Sequence, residues 1–147
     1  MPGPVKVLFL CTRNSCRSQM AEGWARQLHP GRLEAVSAGT RPGILDARAV
    51  RVMAEAGVDI STQRPKHLSE FADAPLDCAV TVCDAARESC PVFPRRVRQL
   101  HESFEDPPRL AQAAGSEEEA LAIYRRVRDQ IHDYVEKLPA LLGNAEG

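Results

Sequence analysis

The 147-residue chain has few aromatic residues: one tryptophan, two tyrosines and four phenylalanines make up 5% of it. Proteins that bind single-stranded nucleic acid use aromatic side chains as stacking platforms for the bases, so this composition disfavours that function. Positive charge is not in excess either, because 19 lysines and arginines face 20 acidic residues and the net charge is −1. We therefore expect no nucleic-acid partner and no membrane surface.

Long hydrophobic runs are also missing. The apolar run at residues 5–10 is too short for a membrane span or a signal peptide, and no small-residue cleavage site follows it. We therefore expect a cytoplasmic protein in a reducing compartment. Five cysteines in such a place favour catalytic, redox or metal-binding roles over a disulfide framework. A hydrophobic content of 44% with 27% charged residues predicts one globular domain over residues 1–147.

Apolar runs alternate with amphipathic segments along the chain. Strands are predicted at residues 5–10, 33–38, 76–82 and 95–100. The helix boundaries are marked by capping and breaking residues, namely a stop at His29-Pro30-Gly31, an N-cap at Asp46 with Gly57 after the helix end, a capping box at Ser116 and Glu119, and a stop near Pro139. This alternation predicts an α/β fold, a single-domain three-layer sandwich in which helices flank a four-stranded parallel sheet.

A cysteine and an arginine six residues apart, Cys11 and Arg17, follow the first predicted strand. The turn between them can direct several backbone N–H groups at one point, and the start of the next helix adds positive potential. An arginine can bind a tetrahedral oxyanion through two parallel N–H bonds. We expect the same positive field to lower the pKa of Cys11 and make it a thiolate near neutral pH. The pattern predicts an oxyanion pocket with a sulfur nucleophile.

Five stretches carry a resemblance to a known family, and they occur in that family's order: residues 11–24, Ser37-Ala38-Gly39, Val80-Thr81-Val82-Cys83, Cys90-Pro91 and Phe104-Glu105-Asp106-Pro107-Pro108. The chain resembles the thioredoxin-coupled arsenate reductases, which share the low-molecular-weight tyrosine phosphatase fold. The paired downstream cysteines favour the reductases, because the phosphatases generally lack them. The resemblance implies that the protein reduces arsenate to arsenite in arsenic detoxification.

The resemblance also implies a role for each matching residue. Cys11 is the nucleophile, and Asp106 is the general acid that protonates the leaving oxygen. Arsenate is held by Arg17 and by the loop around it, that is by Thr12, Arg13, Asn14, Ser15, Cys16 and Ser18. Cys83 then attacks Cys11 and releases arsenite, and Cys90 attacks Cys83 in turn. Thioredoxin reduces the resulting Cys83–Cys90 disulfide, so we expect no cofactor; we also expect a monomer.

Two positions depart from the family pattern. Family members usually have glycine where Arg13 stands, so a positive φ at this position would strain the loop; the arginine could instead add positive charge near the anion. Some relatives bind potassium beside the loop, with residues that match Asn14, Glu22 and Ser37 and an aspartate aligned with Lys66. The ammonium of Lys66 could take the place of that ion, so we predict no metal site.

Two other functions stay open at this level. The first is a phosphatase acting on phosphotyrosine or a small phosphoester, which would need only Cys11, Arg17 and Asp106; the protein could also keep weak phosphatase activity beside the reductase. The second is a thiol sensor or zinc-binding module, although the cysteine spacing includes no tight pair. Cys78 lies inside a predicted strand and Cys16 inside the loop, so we expect structural roles for both.

Overall fold

In a computed structural model, residues 3–88, 93–94 and 96–144 of the chain are described. The strands are β1 (Val5–Cys11), β2 (Leu33–Gly39), β3 (Cys78–Thr81) and β4 (Arg98–His101). The helices are α1 (Arg17–Leu28), α2 (Ala47–Glu55), α3 (Asp84–Glu88), α4 (Pro107–Ala111) and α5 (Glu117–Asn144), with a short 3₁₀ helix at Leu68–Phe71. No helix in this part of the chain is both long and apolar enough to cross a membrane.

The four strands form one parallel sheet in the order β2-β1-β3-β4. Four consecutive residues of β1, from Val7 to Leu10, are completely buried. Because successive strand residues point to opposite faces, burial of all four means that both faces of the sheet are covered. The predicted α/β fold with a four-stranded parallel sheet is confirmed.

Helix α1 is buried on all sides over most of its length, because every residue from Ser18 to Ala25 is buried. Met20, Ala21 and Ala25 of this helix are buried in the core. Gly23 allows the close approach, because a Cβ at this position would lie 2.6 Å from a methyl group of Ile60. The helix begins directly after the turn from β1, so the packing of α1 fixes the position of that turn.

The predicted boundaries of helix α2 are confirmed, but the predicted end of the last helix is not. Asp46 caps α2 by accepting a hydrogen bond from the N–H of Arg48, and Gly57 has a φ of 85° after the helix. Helix α5 was expected to end near Pro139, but this prediction is wrong because the helix continues to Asn144. Leu142 is buried beyond the proline, and Arg98 donates to the carbonyls of residues 141 and 142. These contacts offset the hydrogen bond that proline cannot make.

Strand ends also differ in detail from the predictions. The third strand is shorter than predicted and spans Cys78–Thr81. The fourth begins at Arg98, whereas the predicted start at position 95 lies outside the described residues. The register aligns Cys11 with Gly39, and Thr81 with His101. The carboxyl ends of all four strands therefore meet at one edge of the sheet, which is where ligands bind in folds of this kind.

Candidate active site

The turn from β1 to α1 forms a loop whose carbonyl groups face away from the cleft. The carbonyls of Thr12, Arg13 and Ser15 accept hydrogen bonds from the N–H groups of residues 41, 43 and 46, and the carbonyl of Asn14 accepts from the side chain of Gln19. In a planar trans peptide the next N–H points opposite to the carbonyl. The N–H groups of residues 13–16 are thus directed to the inner side of the loop, which is the arrangement that binds anions.

The loop is held from behind by buried polar side chains. Asn14, whose φ of 52° is the only positive value at a non-glycine residue in the described part of the chain, donates to Ser18 and accepts from Gln19 and from the N–H of Lys66. Asn14, Ser18 and Gln19 are completely buried. The side chains of Asn14 and Ser18 therefore support the loop from outside the cleft, and of the two residues only Asn14 has a backbone N–H directed to the inner side of the loop.

Gly39 permits the loop to lie against the end of β2. A Cβ at this position would lie 2.5 Å from the carbonyl oxygen of Thr12 and 3.0 Å from the backbone nitrogen of Asn14. Real side chains do not tolerate such distances to backbone atoms, so any other residue here would push the loop outward. Gly39 lies in one of the stretches that carry the family resemblance, but the sequence alone does not indicate this role, which depends on a contact across the sheet.

Arg13 does not have a positive φ, so the strain that a positive φ would cause at this position does not arise. The left-handed residue of the loop is Asn14, a residue type that tolerates this conformation better than most. The side chain of Arg13 is exposed, lines the cleft and lies over Gly43. It therefore adds positive charge at the mouth of the cleft, as the second of the two expectations held.

Cys11 lies at the floor of the cleft, and Thr12, Arg13, Ser15, Cys16, Arg17, Cys83 and Asp106 are among the residues that line it. Arg17 donates to the carbonyl of Phe104 at 3.0 Å, and its other terminal nitrogen lies 3.8 Å from the carboxylate of Asp106. Asp106 occupies the N-cap position of α4, but its side chain makes no capping bond there. The carboxylate is therefore free to face the cleft.

The sulfur atoms of Cys11 and Cys83 are 3.5 Å apart. The sulfur of Cys83 also lies 3.5 Å from the hydroxyl of Thr12 and accepts from the N–H of Ala86 at 3.4 Å. Cys90, the third cysteine of the predicted relay, lies outside the described residues. The pairing of β1 with β3 is what brings Cys11 and Cys83 together across 72 positions of the chain.

The Cys11 thiol lies within hydrogen-bond distance of Cys83, and the direction of its pKa shift is opposite to the lowering expected from the sequence. The pKa of Cys11 is raised, first because its S–H donates to Cys83 and then because it is buried, although Arg17 acts in the opposite direction. The pKa of Cys83 is lowered to about 5, first by the hydrogen bond from Cys11, although burial of the thiol opposes the shift. Thr12, the N–H of Ala86 and the charge of Arg17 act in the same direction as Cys11. The hydrogen bond from Cys11 therefore favours the thiolate form of Cys83.

The remaining described cysteines are neutral and buried. Burial raises the pKa of Cys16 far above its usual value, and it raises the pKa of Cys78 to about 12. Cys16 stands at the N-cap of α1, and Cys78 stands at the start of β3. Among the residues that the structure describes, no group of three or more histidine, cysteine or acidic side chains is arranged to hold a metal ion.

Lys66 occupies the place beside the loop where the sequence suggested an ion in some relatives. Its ammonium lies 3.8 Å from the carboxylate of Glu22, which is buried, accepts from the hydroxyl of Ser37 at 2.6 Å and also pairs with Arg26. Burial lowers the pKa of Lys66, and the charge of Glu22 opposes that shift. Because Glu22 is already neutralised and the amide oxygen of Asn14 already has two donors, these residues do not fit a bound cation.

The chain matches the family model of the low molecular weight phosphotyrosine protein phosphatases over residues 6–146. An arsenate reductase of Bacillus subtilis (strain 168) is 44% identical over 125 residues, which cover 85% of this chain and 88% of the relative. A solved arsenate reductase in the phosphate binding state is 35% identical with a TM-score of 0.72, and the match covers 92% of this chain and 97% of the other.

A third comparison concerns a thioredoxin-dependent arsenate reductase of Corynebacterium glutamicum, which is 26% identical with a TM-score of 0.67. The match covers 94% of this chain and 63% of that protein. The resemblance seen in the sequence is therefore confirmed, both by relatives with similar sequences and by solved structures with the same fold.

Proposed function

Because the chain belongs to the low molecular weight phosphotyrosine protein phosphatase family, we propose that it uses the anion-binding loop of that family to reduce arsenate to arsenite. The relatives named arsenate reductases support this proposal. One observation carries it, namely that a second sulfur, that of Cys83, lies 3.5 Å from the sulfur of Cys11 inside the oxyanion cleft. Hydrolysis of a phosphoester needs one nucleophile, whereas a two-electron reduction by thiols needs two.

The first step is attack by Cys11 on arsenic. Arsenate is held by the inward N–H groups of residues 13–16 and by the guanidinium of Arg17. Transfer of the thiol proton of Cys11 to Cys83 leaves a negative charge on Cys11, which Arg17 and the N–H of Thr12 stabilise. The sulfur–arsenic bond forms as an arsenic–oxygen bond breaks, and the leaving hydroxyl takes a proton from Asp106 and departs as water.

The second step is attack by Cys83 on the sulfur of Cys11. The sulfur–arsenic bond breaks and its electron pair stays on arsenic, which is thereby reduced from arsenic(V) to arsenic(III). The proton of Cys83 passes to an oxygen of the departing arsenite, and a Cys11–Cys83 disulfide remains. The 3.5 Å contact means that this step requires little movement of either sulfur.

The third step returns the enzyme to its starting state. Cys90 attacks Cys83, which frees Cys11 as a thiolate and transfers the disulfide to Cys83 and Cys90. A dithiol protein of the thioredoxin class then gives two electrons to this disulfide, which becomes two thiols, and the thioredoxin leaves with a disulfide of its own. Because this step needs a reduced thioredoxin, we propose a reducing compartment, the cytoplasm. The step is inferred from the sequence, since Cys90 lies outside the described residues.

The decisive experiment measures arsenate-dependent oxidation of NADPH in the presence of thioredoxin and thioredoxin reductase. The wild-type protein is expected to turn over many times, whereas the Cys83→Ser variant is expected to release no arsenite. The Cys90→Ser variant should release one arsenite per chain and stop as a Cys11–Cys83 disulfide, which peptide mapping identifies. Absence of turnover by the wild type in the complete system would contradict the proposal.

A second candidate function is phosphatase activity, favoured by the fact that Cys11, Arg17 and Asp106 form a complete oxyanion site without Cys83. Phosphate and arsenate have nearly the same shape and charge. Hydrolysis of p-nitrophenyl phosphate by the Cys83→Ser variant separates the two functions. If the wild type hydrolyses this ester efficiently and does not reduce arsenate, the phosphatase is the main activity.

A further inference from the structure

His101 connects two elements that lie on either side of the Cys83 position. It is the last residue of β4, and its Nδ1 lies 2.7 Å from the hydroxyl of Thr81, near the end of β3. Its Nε2 lies 3.0 Å from the carboxylate of Asp84, the first residue of α3. Thr81 and Asp84 stand two positions before and one position after Cys83, so the imidazole spans the turn that presents this thiol.

The contacts of His101 with Thr81 and Asp84 form a bridge that can exist whether the imidazole is neutral or charged. In the neutral form, Nε2–H donates to Asp84 and Nδ1 accepts from the hydroxyl of Thr81. In the charged form both nitrogens donate, and the hydroxyl of Thr81 can turn to the carbonyl of Leu100 at 3.4 Å. The link between the end of the sheet and the start of α3 is therefore kept whichever form is present.

The position of α3 matters because this helix supplies a donor to the Cys83 sulfur. The N–H of Ala86, in the first turn of α3, lies 3.4 Å from that sulfur and stabilises its thiolate form. The charge of Arg17 and the S–H of Cys11 stabilise the thiolate from the other side. Helix α3 has only five residues; Ala86 is buried in the core, whereas the side chain of Asp84 is 74% exposed, so the contact with His101 acts on the exposed start of the helix.

We propose that His101 is a positioning residue for Cys83: by tying Asp84 to Thr81, it holds α3 where the N–H of Ala86 meets the sulfur. An effect of His101 on arsenite release rests on the proposed function. An effect of His101 on the reactivity of the Cys83 thiol does not. Nothing in the reaction sequence requires His101 to touch arsenate.

The test is the pH dependence of alkylation of Cys83 by iodoacetamide, followed on the Cys83 peptide by mass spectrometry in the wild type, His101→Ala and His101→Gln. We expect the alanine variant to need a higher pH for half-maximal reaction, with about two- to fivefold less thiolate at a pH below the midpoint, the size expected when one hydrogen bond to the sulfur is weakened. Glutamine places an amide nitrogen near the former Nε2 and should restore much of the wild-type midpoint. The control is His132→Ala, on α5, whose midpoint should not move.

An unchanged midpoint in His101→Ala, in a protein that melts like the wild type, would overturn the proposal. A shifted midpoint that glutamine does not restore would also overturn it, since the effect would then come from lost packing. The alkylation readout needs neither arsenate nor thioredoxin. A shifted midpoint in a protein that fails to reduce arsenate would therefore leave the positioning role standing and remove the proposed function alone.

Discussion

The loop between β1 and α1 and the segment that carries Cys83 meet in one cleft, but they are held in different ways. Behind the loop, Asn14, Ser18 and Gln19 are completely buried and hydrogen-bonded to one another or to neighbouring backbone. After Cys83 the chain enters a five-residue helix whose first side chain, Asp84, points mostly into solvent. Buried hydrogen bonds hold the first region in one conformation, whereas few contacts hold the start of the helix in the second region.

This difference matches what the two regions have to do in the proposed reaction. An oxyanion site works best when its donors are already aimed before the charge arrives, because reorientation then costs nothing during the reaction. A relay thiol has to meet one sulfur and then another, so it has to move between them. Buried polar groups that are fully paired make a region rigid, and regions with few buried contacts open most easily.

The Cys11→Ser variant should give the largest effect, because both regions depend on this sulfur. We expect loss of arsenate reduction and of any hydrolysis of p-nitrophenyl phosphate, since a serine hydroxyl is a far weaker nucleophile in this site. Arsenite release and p-nitrophenol release measure the two reactions. The control is Cys78→Ala, at a cysteine buried in β3 outside the cleft, which should keep both. Appreciable turnover of either substrate by Cys11→Ser would show that another group is the nucleophile.

The Arg17→Lys variant should affect only the oxyanion site and leave the relay region unchanged. Lysine keeps the charge but cannot make two parallel hydrogen bonds to an oxyanion, so kcat/KM should fall about 10²- to 10³-fold for both reactions. The same substitution at Arg109, which lines the cleft from α4, is the matched control and should change kcat/KM little. Near-wild-type kinetics in Arg17→Lys would mean that charge alone is what the site requires.

The Asp106→Asn variant should slow the first chemical step by about 10²-fold, at the lower end of the range for general acid catalysis. An amide cannot give a proton to the leaving oxygen, whereas the attack of Cys83 on Cys11 needs no such proton. Single-turnover release of p-nitrophenol from p-nitrophenyl phosphate isolates the first step. The neighbouring Glu105→Gln change is the control, because Glu105 pairs with Arg126 on the surface. If Asp106→Asn releases p-nitrophenol at the wild-type rate, Asp106 only begins α4.

The parts of the site that are local in sequence could be predicted from it. Cys11, the turn and Arg17 are consecutive along the chain, and a strand before them with an amphipathic helix after them settles their arrangement. The cap at Asp46 and the glycine at position 57 were likewise predictable, because capping depends on residues within one turn of the helix.

Features that depend on strand pairing could not be predicted in the same way. The contact between the sulfurs of Cys11 and Cys83 joins residues 72 positions apart, and no local pattern of charges indicates it. The bridge from His101 to Asp84 and the role of Gly39 also arise from neighbouring strands. Helix α5 passes Pro139 because of contacts made by Arg98, a residue of β4. In each case the tertiary contact outweighs the local signal.

The Lys66→Met variant should have the smallest effect on the chemistry, because it removes a contact behind the loop and leaves the cleft unchanged. It therefore tests whether the loop is rigid independently of the reaction. Glu22 would keep its bonds to Ser37 and Arg26 but lose a buried cation, and we expect the free energy of unfolding to fall by about 1–3 kcal/mol. Chemical denaturation measures this change, with Lys137→Met on the exposed face of α5 as the matched control. Arsenate reduction at saturating substrate should change only a few-fold, because the donors of the loop remain. If Lys66→Met is as stable as Lys137→Met, the ammonium contributes nothing to the support of the loop, and its rigidity comes from the hydrogen bonds of Asn14 and Gln19 alone.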